Sequence, residues 1–357
     1  MTKNLKYQLL VAAILSCFLL GFSCGKSVEP KPVEPKDYPL YINDVASNQL
    51  FTIHPASQKL DSISFPWNTS VMVSADGKLF YVLLGNSVLV VDKDSLSVIT
   101  ELLYTHNGAS VSPDNQYLAL TGKDLYILRT SDYSIVFSDT TEFLYSRGNF
   151  VSDGKAFFCV VRAAPDSSPS AFRVDLSDTS NNIIKKSFDS RSVLQVIPSL
   201  DESKWFFYLH VGLWTYSFEV YDVIADSIIF SEILVPGGGS MTLSPNGKYV
   251  FYTNPGRTAT DPPSDLSFRI FDVTANSIDE VVVDTSFFCF GSGCAPPKTL
   301  AVTPDGKWLG ILGGDIFQIP AFYLYDIHNR KLTFREVGEF PTVIRQFRNT
   351  VSVQQFK

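Results

Sequence analysis

Six segments of this chain are near-copies of one another, and that self-similarity restricts the fold more than any other feature. Aligned on their turns they read SADGKLFYVLL from residue 74, SPDNQYLALTG from 112, VSDGKAFFCVV from 151, SLDESKWFFYL from 199, SPNGKYVFYTN from 244 and TPDGKWLGILG from 303. Recurrence every roughly 40 to 50 residues marks a solenoid, a ring or an array built from one supersecondary unit. Each copy holds an apolar strand, a turn whose Asp, Asn or Gly tolerates positive φ, and an aromatic-rich strand. Two more strands follow each copy, as in SVLVVDKDSLSVI after the first and FYLYDIHNRKLTF after the last. Composition agrees, since 28 Phe and 16 Tyr against 3 Met favour the pleated strand. No apolar stripe of helical period is sustained beyond residue 25.

Four strands per unit is one blade of a propeller, and the two ends of the chain predict how many blades there are. Residues 39–65 supply three strands but lack the inner one that should come first. Residues 341–356 supply an apolar strand with nothing after it. If that last strand completes the first blade, six whole repeats and one shared blade make seven, and no inner edge is left to pair with other chains. The expectation is therefore an all-β protein: a seven-bladed β-propeller of four antiparallel strands per blade, with the ring closed by the C-terminal strand.

One copy also carries a resemblance. KYVFYTN at Lys248–Asn254, with SPNG before it and FRIFDV after, resembles the YVTN-type repeat of seven-bladed bacterial propellers, and the likeness extends over residues 39–357. It implies the fold and leaves the activity open, because propellers host many unrelated functions.

The start of the chain predicts export. Lys3 and Lys6 precede an apolar run from Leu9 to Phe22 that is short for a membrane-spanning helix. Gly21, Phe22 and Ser23 before Cys24 resemble the lipobox of bacterial lipoproteins, which implies a signal peptide over 1–23 and lipidation at Cys24; Cys17, after Ile14, Leu15 and Ser16, is a rival site that would halve the run. Residues 24–38 are Pro-rich and charged, an extended tether, and 39–357 form the propeller. Gly25 after the cysteine implies outer-membrane anchoring, facing the periplasm or the outside, with plain secretion as the alternative. Without Lys3 and Lys6, 27 basic residues stand against 36 acidic ones, a formal charge of −9. Such a body excludes a nucleic-acid grip, and the membrane is met through the lipid anchor only.

No catalytic template is present: there is no GxSxG, HExxH, GxxxxGK or GxGxxG before a helix. No cysteine or histidine spacing suits zinc or haem, and no DxDxDG suits calcium, so neither a metal nor a cofactor is expected. Cys159 in AFFCVV reads as a buried strand residue, and Cys289 and Cys294 in CFGSGC are spaced for a small disulfide loop. His54 and His328 map to outer turns, His106 and His210 near the funnel. A lactonase-like or other hydrolase in the funnel would have to draw on Arg147, His106, His210 and Arg191. Asp-Ser-aliphatic triplets at Asp61, Asp94 and Asp226 resemble O-glycan acceptors of Gram-negative envelope proteins, although the outer-turn role suffices for each.

Geometry is more informative than motif. With strands A to D alternating in direction, A–B and C–D turns share one face, and B–C loops and D–A crossings share the other. The long insertions at 162–171, 254–265 and 313–321 are B–C loops and that at 284–297 is a D–A crossing, so elaboration is one-sided. Loops on a rigid scaffold carry function. The residues expected to meet a protein or glycan partner there are Arg147, Arg162, Trp214, Arg257, Phe288 and Phe317, with Phe287 and Phe290 packed within their own loop. A purely architectural role in an outer-membrane complex is a further alternative.

Overall fold

The computed structural model describes residues 38–44, 49–65, 69–140, 144–151, 153–162, 169–177, 183–186, 192–212, 215–234, 239–254, 267–282, 289–290, 293–294, 297–313 and 321–337. Among these there is no helix. The strands form seven main sheets, each running in chain order with antiparallel neighbours, spanning 40–64, 70–102, 108–139, 144–186, 192–234, 241–282 and 297–337. We call them blades 1 to 7. Blades 2 to 7 have four strands each, A innermost to D outermost. Blade 1 has three described strands, Leu40–Asp44, Gln49–His54 and Lys59–Ser64. Gln58, between the last two, takes the positive φ that Leu96, Tyr133, Asp226, Asn276 and Arg330 take between C and D elsewhere, so these three are B, C and D. The strand expected at 341–356 lies outside the described residues.

The ring follows from where side chains go. Successive residues of a strand point to opposite faces of its sheet, and here both faces are covered. On strand B of blade 4, Phe157, Cys159 and Val161 pack with Ala119, Ile127 and Phe137 of blade 3, whereas Ala156, Phe158 and Val160 pack with Val196, Trp205 and Phe207 of blade 5. The same division recurs at every seam, giving seven apolar clusters for seven blades. The closing seam joins Leu40, Ile42, Phe51 and Ile53 of blade 1 to Ala301, Leu312, Phe322 and Leu324 of blade 7. Each fully buried aromatic or aliphatic side chain contributes about 1.5–3 kcal/mol relative to exposure, and no blade can bury both faces alone. This is a seven-bladed β-propeller.

The repeated turn has a physical cause. Ser112 is fully buried; its hydroxyl donates to Asp114 Oδ1 at 2.6 Å and accepts from the N–H groups of Gln116 and Tyr117 at 3.0 and 2.8 Å. The Ser112 carbonyl accepts from Asn115 N–H, and Asn115 takes φ 60°. Ser74, Ser199, Ser244 and Thr303 build the same turn around Asp76, Asp201, Asn246 and Asp305. Val151 replaces the hydroxyl in blade 4, and there the backbone bonds and the Lys155 N–H donated to Asp153 Oδ1 at 3.0 Å remain. Each A–B turn is tied to its own C–D turn, as by Lys93 N–H to the Lys78 carbonyl and Ile327 N–H to the Lys307 carbonyl. Between blades 2 and 3, Ala75 N–H donates to the Asn115 side chain at 3.2 Å.

Candidate binding face

The B–C loops and D–A crossings emerge together, opposite the turns. The longest pair of strands is in blade 5, where Lys204–Gly212 and Thr215–Asp222 run antiparallel up to the Gly212–Thr215 pair. The corresponding strands of blade 2, Leu79–Leu83 and Val88–Asp92, are 5 residues each against 9 and 8 here. Blade 5 therefore projects beyond blade 2 on this face, and the chain between Gly212 and Thr215 is Leu213 and Trp214. On the projecting part, the His210 ring lies 5.2 Å from the Tyr216 ring and Tyr208 5.9 Å from Tyr216. A second aromatic pair, Tyr104 and Tyr126 at 4.8 Å, stands over the blade 2–blade 3 seam.

The expected site residues divide unevenly. Arg162 ends the strand Ala156–Arg162, half-buried, opposite Leu144. Arg147 lies where the register between Leu144–Phe150 and its neighbour shifts, between the Tyr145 and Gly148 pairs. Such a bulge re-aims the strand beside it. Its side chain, and Trp214, Arg257, Phe287, Phe288, Phe317, Arg191 and Cys24, lie outside the described residues. Cys289–Phe290 and Gly293–Cys294 form a small antiparallel pair in which Cys289 stands opposite Cys294.

Sequence reasoning placed His106 near the funnel; it lies just before the inner strand Gly108–Val111 of blade 3, and its side chain is enclosed. It is 3 % exposed within the crossing between blades 2 and 3, because the B–C connections on either side close over it. His106, in the crossing from blade 2 to blade 3, and His210, in blade 5, are separated in the ring by blades 3 and 4 and share no hydrogen bond among the described residues, so they do not meet as a catalytic pair. His54 and His328 do lie at C–D turns, His54 with its Nε2 3.6 Å from Asp61. Cys159 is fully buried, and desolvation pushes its thiol far above the ordinary range, which leaves it inert. No group of three or more His, Cys, Asp or Glu among the described residues could hold a metal ion.

What sequence reasoning missed is the polar stitching of the seams. Near the axis, the Gln195 side chain donates to the Met241 carbonyl and accepts from its N–H, both at 3.0 Å, extending blade 5 into blade 6 as a strand would. Ser240 Oγ accepts from Leu300 N–H at 3.0 Å across the next seam. Farther out, Arg173 Nη2 donates to Glu202 at 3.1 Å, Arg269 Nε to Glu232 at 2.8 Å and Arg330 Nη1 to Glu280 at 2.9 Å, each between neighbouring blades. Tyr252 also donates to Glu232. A single sequence does not show which charges meet across a seam. Arg173 and Arg269 lie at different positions within strand C and Arg330 in a C–D turn, so the repeat does not reveal the pairs either.

No protein-family model and no curated protein matches the chain in sequence. Solved structures do match in shape. The hydrazine synthase of Kuenenia stuttgartiensis is similar with a TM-score of 0.57 at 15 % identity, over 75 % of this chain and 85 % of that one. The Cps50 (Swd1) β-propeller domain of Myceliophteria thermophila gives 0.55 at 12 % identity, over 76 % and 86 %. The dihydro-heme d1 dehydrogenase NirN, in complex with DHE, gives 0.50 at 13 % identity, over 84 % and 73 %. One of these is a synthase, one a propeller domain and one a dehydrogenase, so what the chain shares with them is the propeller fold.

Proposed function

We propose that this protein is a lipid-anchored envelope propeller that binds a protein or glycan partner on the face bearing the B–C loops and D–A crossings. The observation that supports it most is one-sided elaboration. The turn face repeats one compact motif, while the long connections at 163–169, 255–266, 283–296 and 314–320 all leave strand ends on the opposite side. Arg257 and Phe288 fall within two of these connections and Trp214 in the two-residue one after Gly212 on the same side, and Arg with large aromatics is the composition of contact hot spots. The anchor would be acyl chains on Cys24.

Photo-crosslinking from Arg162 and from Thr260, in the 255–266 connection, identifies the partner; the triple variant Arg257→Ala, Trp214→Ala, Phe288→Ala should then bind it at least tenfold more weakly. Unchanged affinity in that variant discards this face. Labelling with a radioactive fatty acid, lost in Cys24→Ser, tests the anchor. We also propose that Cys289 and Cys294 are bridged. Their direct pairing across a two-residue Gly-Ser connection puts them at the non-hydrogen-bonded position next to the turn, where Cα atoms lie about 4.5 Å apart, within reach of a disulfide. Alkylation of both thiols in unreduced exported protein would exclude the bridge.

A further inference from the structure

The crossing between blades 2 and 3, residues 103–107, is tied down on both sides. His106 N–H donates to the Gly85 carbonyl at 2.8 Å, in the B–C connection of blade 2, and Asn107 N–H to the Thr121 carbonyl at 2.6 Å, at the B–C connection of blade 3. Gly122 lies so close that a methyl group on it would stand 3.1 Å from the His106 Cα. The imidazole itself is almost wholly enclosed. Its Nδ1 is 3.0 Å from the Tyr104 carbonyl, which can only accept, so Nδ1 carries the proton and Nε2 keeps a lone pair. That Nε2 is buried and has no hydrogen-bond partner among the described residues.

A neutral imidazole tolerates this arrangement, because an unused lone pair costs less than an unsatisfied charged donor. A proton on Nε2 creates a cationic N–H with nothing to receive it. We propose that His106 is an acid-sensitive latch: protonation at Nε2 drives the crossing 103–107 off the two B–C connections and loosens this corner of the loop face. Among the described residues, the groups around it do not provide another outlet. The connection 84–87 has no ionisable residue, and the crossing contributes only Tyr104. On the blade 3 side stand Lys123 and Asp124; the Asp124 carboxylate accepts from Tyr126 at 3.4 Å, and the Tyr126 ring packs on Tyr104. Blade 4 reaches this corner through Tyr145 N–H, which donates to the Gly122 carbonyl at 2.7 Å. Burial lowers the His106 pKa below 6.5, with the Tyr104 carbonyl opposing the shift. For a group with a lowered folded pKa, stability is fully present above pH 6.5 and is lost as the pH falls from there toward the folded value.

The test is amide hydrogen exchange of the full chain at pH 7 and pH 5, each corrected for its intrinsic rate, with His106→Phe alongside. In the wild type, exchange at 84–87 and 103–107 should rise severalfold on acidification, and should not change in His106→Phe. Equal acidification in the variant, or none in the wild type, overturns the proposal. If His106→Phe does not fold, imidazole NMR on the wild type decides: titration of His106 at or above pH 6.5 overturns it, titration below supports it. Protection that increases in acid, and does so only while Asp124 is intact against Asp124→Asn, would mean that Asp124 captures the imidazolium, and the latch would be wrong.

Discussion

The turn face and the loop face end the same strands, yet they obey different rules. On the turn face a buried Ser or Thr hydroxyl, an Asp or Asn and a left-handed residue rebuild one hydrogen-bond set in five of the six described A–B turns, with Val151 the exception. On the loop face the connections run from the 2 residues after Gly212 to the long stretch between Val282 and Pro297. The difference shows how a ring of blades can specialise. One face holds the spacing of blades by repetition, so the other is free to vary without disturbing the cores between them.

That contrast can be attacked experimentally, starting with what both faces depend on. Phe251 is fully buried in the seam between blades 6 and 7, and Phe251→Ala should cost about 3–5 kcal/mol in urea unfolding. A loss under about 1 kcal/mol would mean that the seams are not the source of stability. On the turn face, Ser112→Ala removes a buried hydroxyl with three bonds and should cost about 1–3 kcal/mol. A cost within about 0.5 kcal/mol, the range of a plain surface change, would end the claim that this face sets the blades.

Gly247→Ala comes next. Gly247 takes φ 71° and its added methyl would stand 2.7 Å from the Leu200 side chain, so a loss of about 1–2 kcal/mol is expected in the same assay. Global acid unfolding should draw on the turn face, at a pH below that at which the His106 crossing loosens. Hydrogen bonds from Ser199, against burial, and then from Ser203 hold Asp201 below 3.8; Asp76 and Asp153 are lowered too, where turn hydrogen bonds and a nearby lysine outweigh burial. These groups stabilise the fold above about pH 3.8 and cease to as pH falls through their lower folded values. Unfolding that begins well above that range, and persists in His106→Phe, would place the sensitive groups elsewhere. The smallest effect belongs to the loop face, where Arg257→Ala should move stability by less than about 0.5 kcal/mol while weakening partner binding.

Much of the fold was legible because repetition amplifies a weak local signal. One Asp- or Asn-containing turn between apolar runs is a hairpin of no particular fold; six in sequence, each followed by two more strands, admit few architectures. Cys159 was readable as buried for the same reason, since AFFCVV is apolar on both faces and must lie between two sheets. His106 was not. Its neighbours in sequence, Tyr104 and Asn107, give no sign that the connections at Gly85 and Gly122 close over it. The seam pairs Arg269–Glu232 and Gln195–Met241 were equally hidden, because partners 37 and 46 residues apart are chosen by blade offset and not by local pattern.

By itself, then, the sequence determined the strand, the turn and the number of times they recur, all of which depend on local backbone preference and on the period of apolar residues. Only the tertiary structure decided which side chains face each other across a seam, and that the imidazole expected at the funnel is enclosed. Those outcomes depend on distances between residues far apart in the chain, and such distances exist only once the ring has closed.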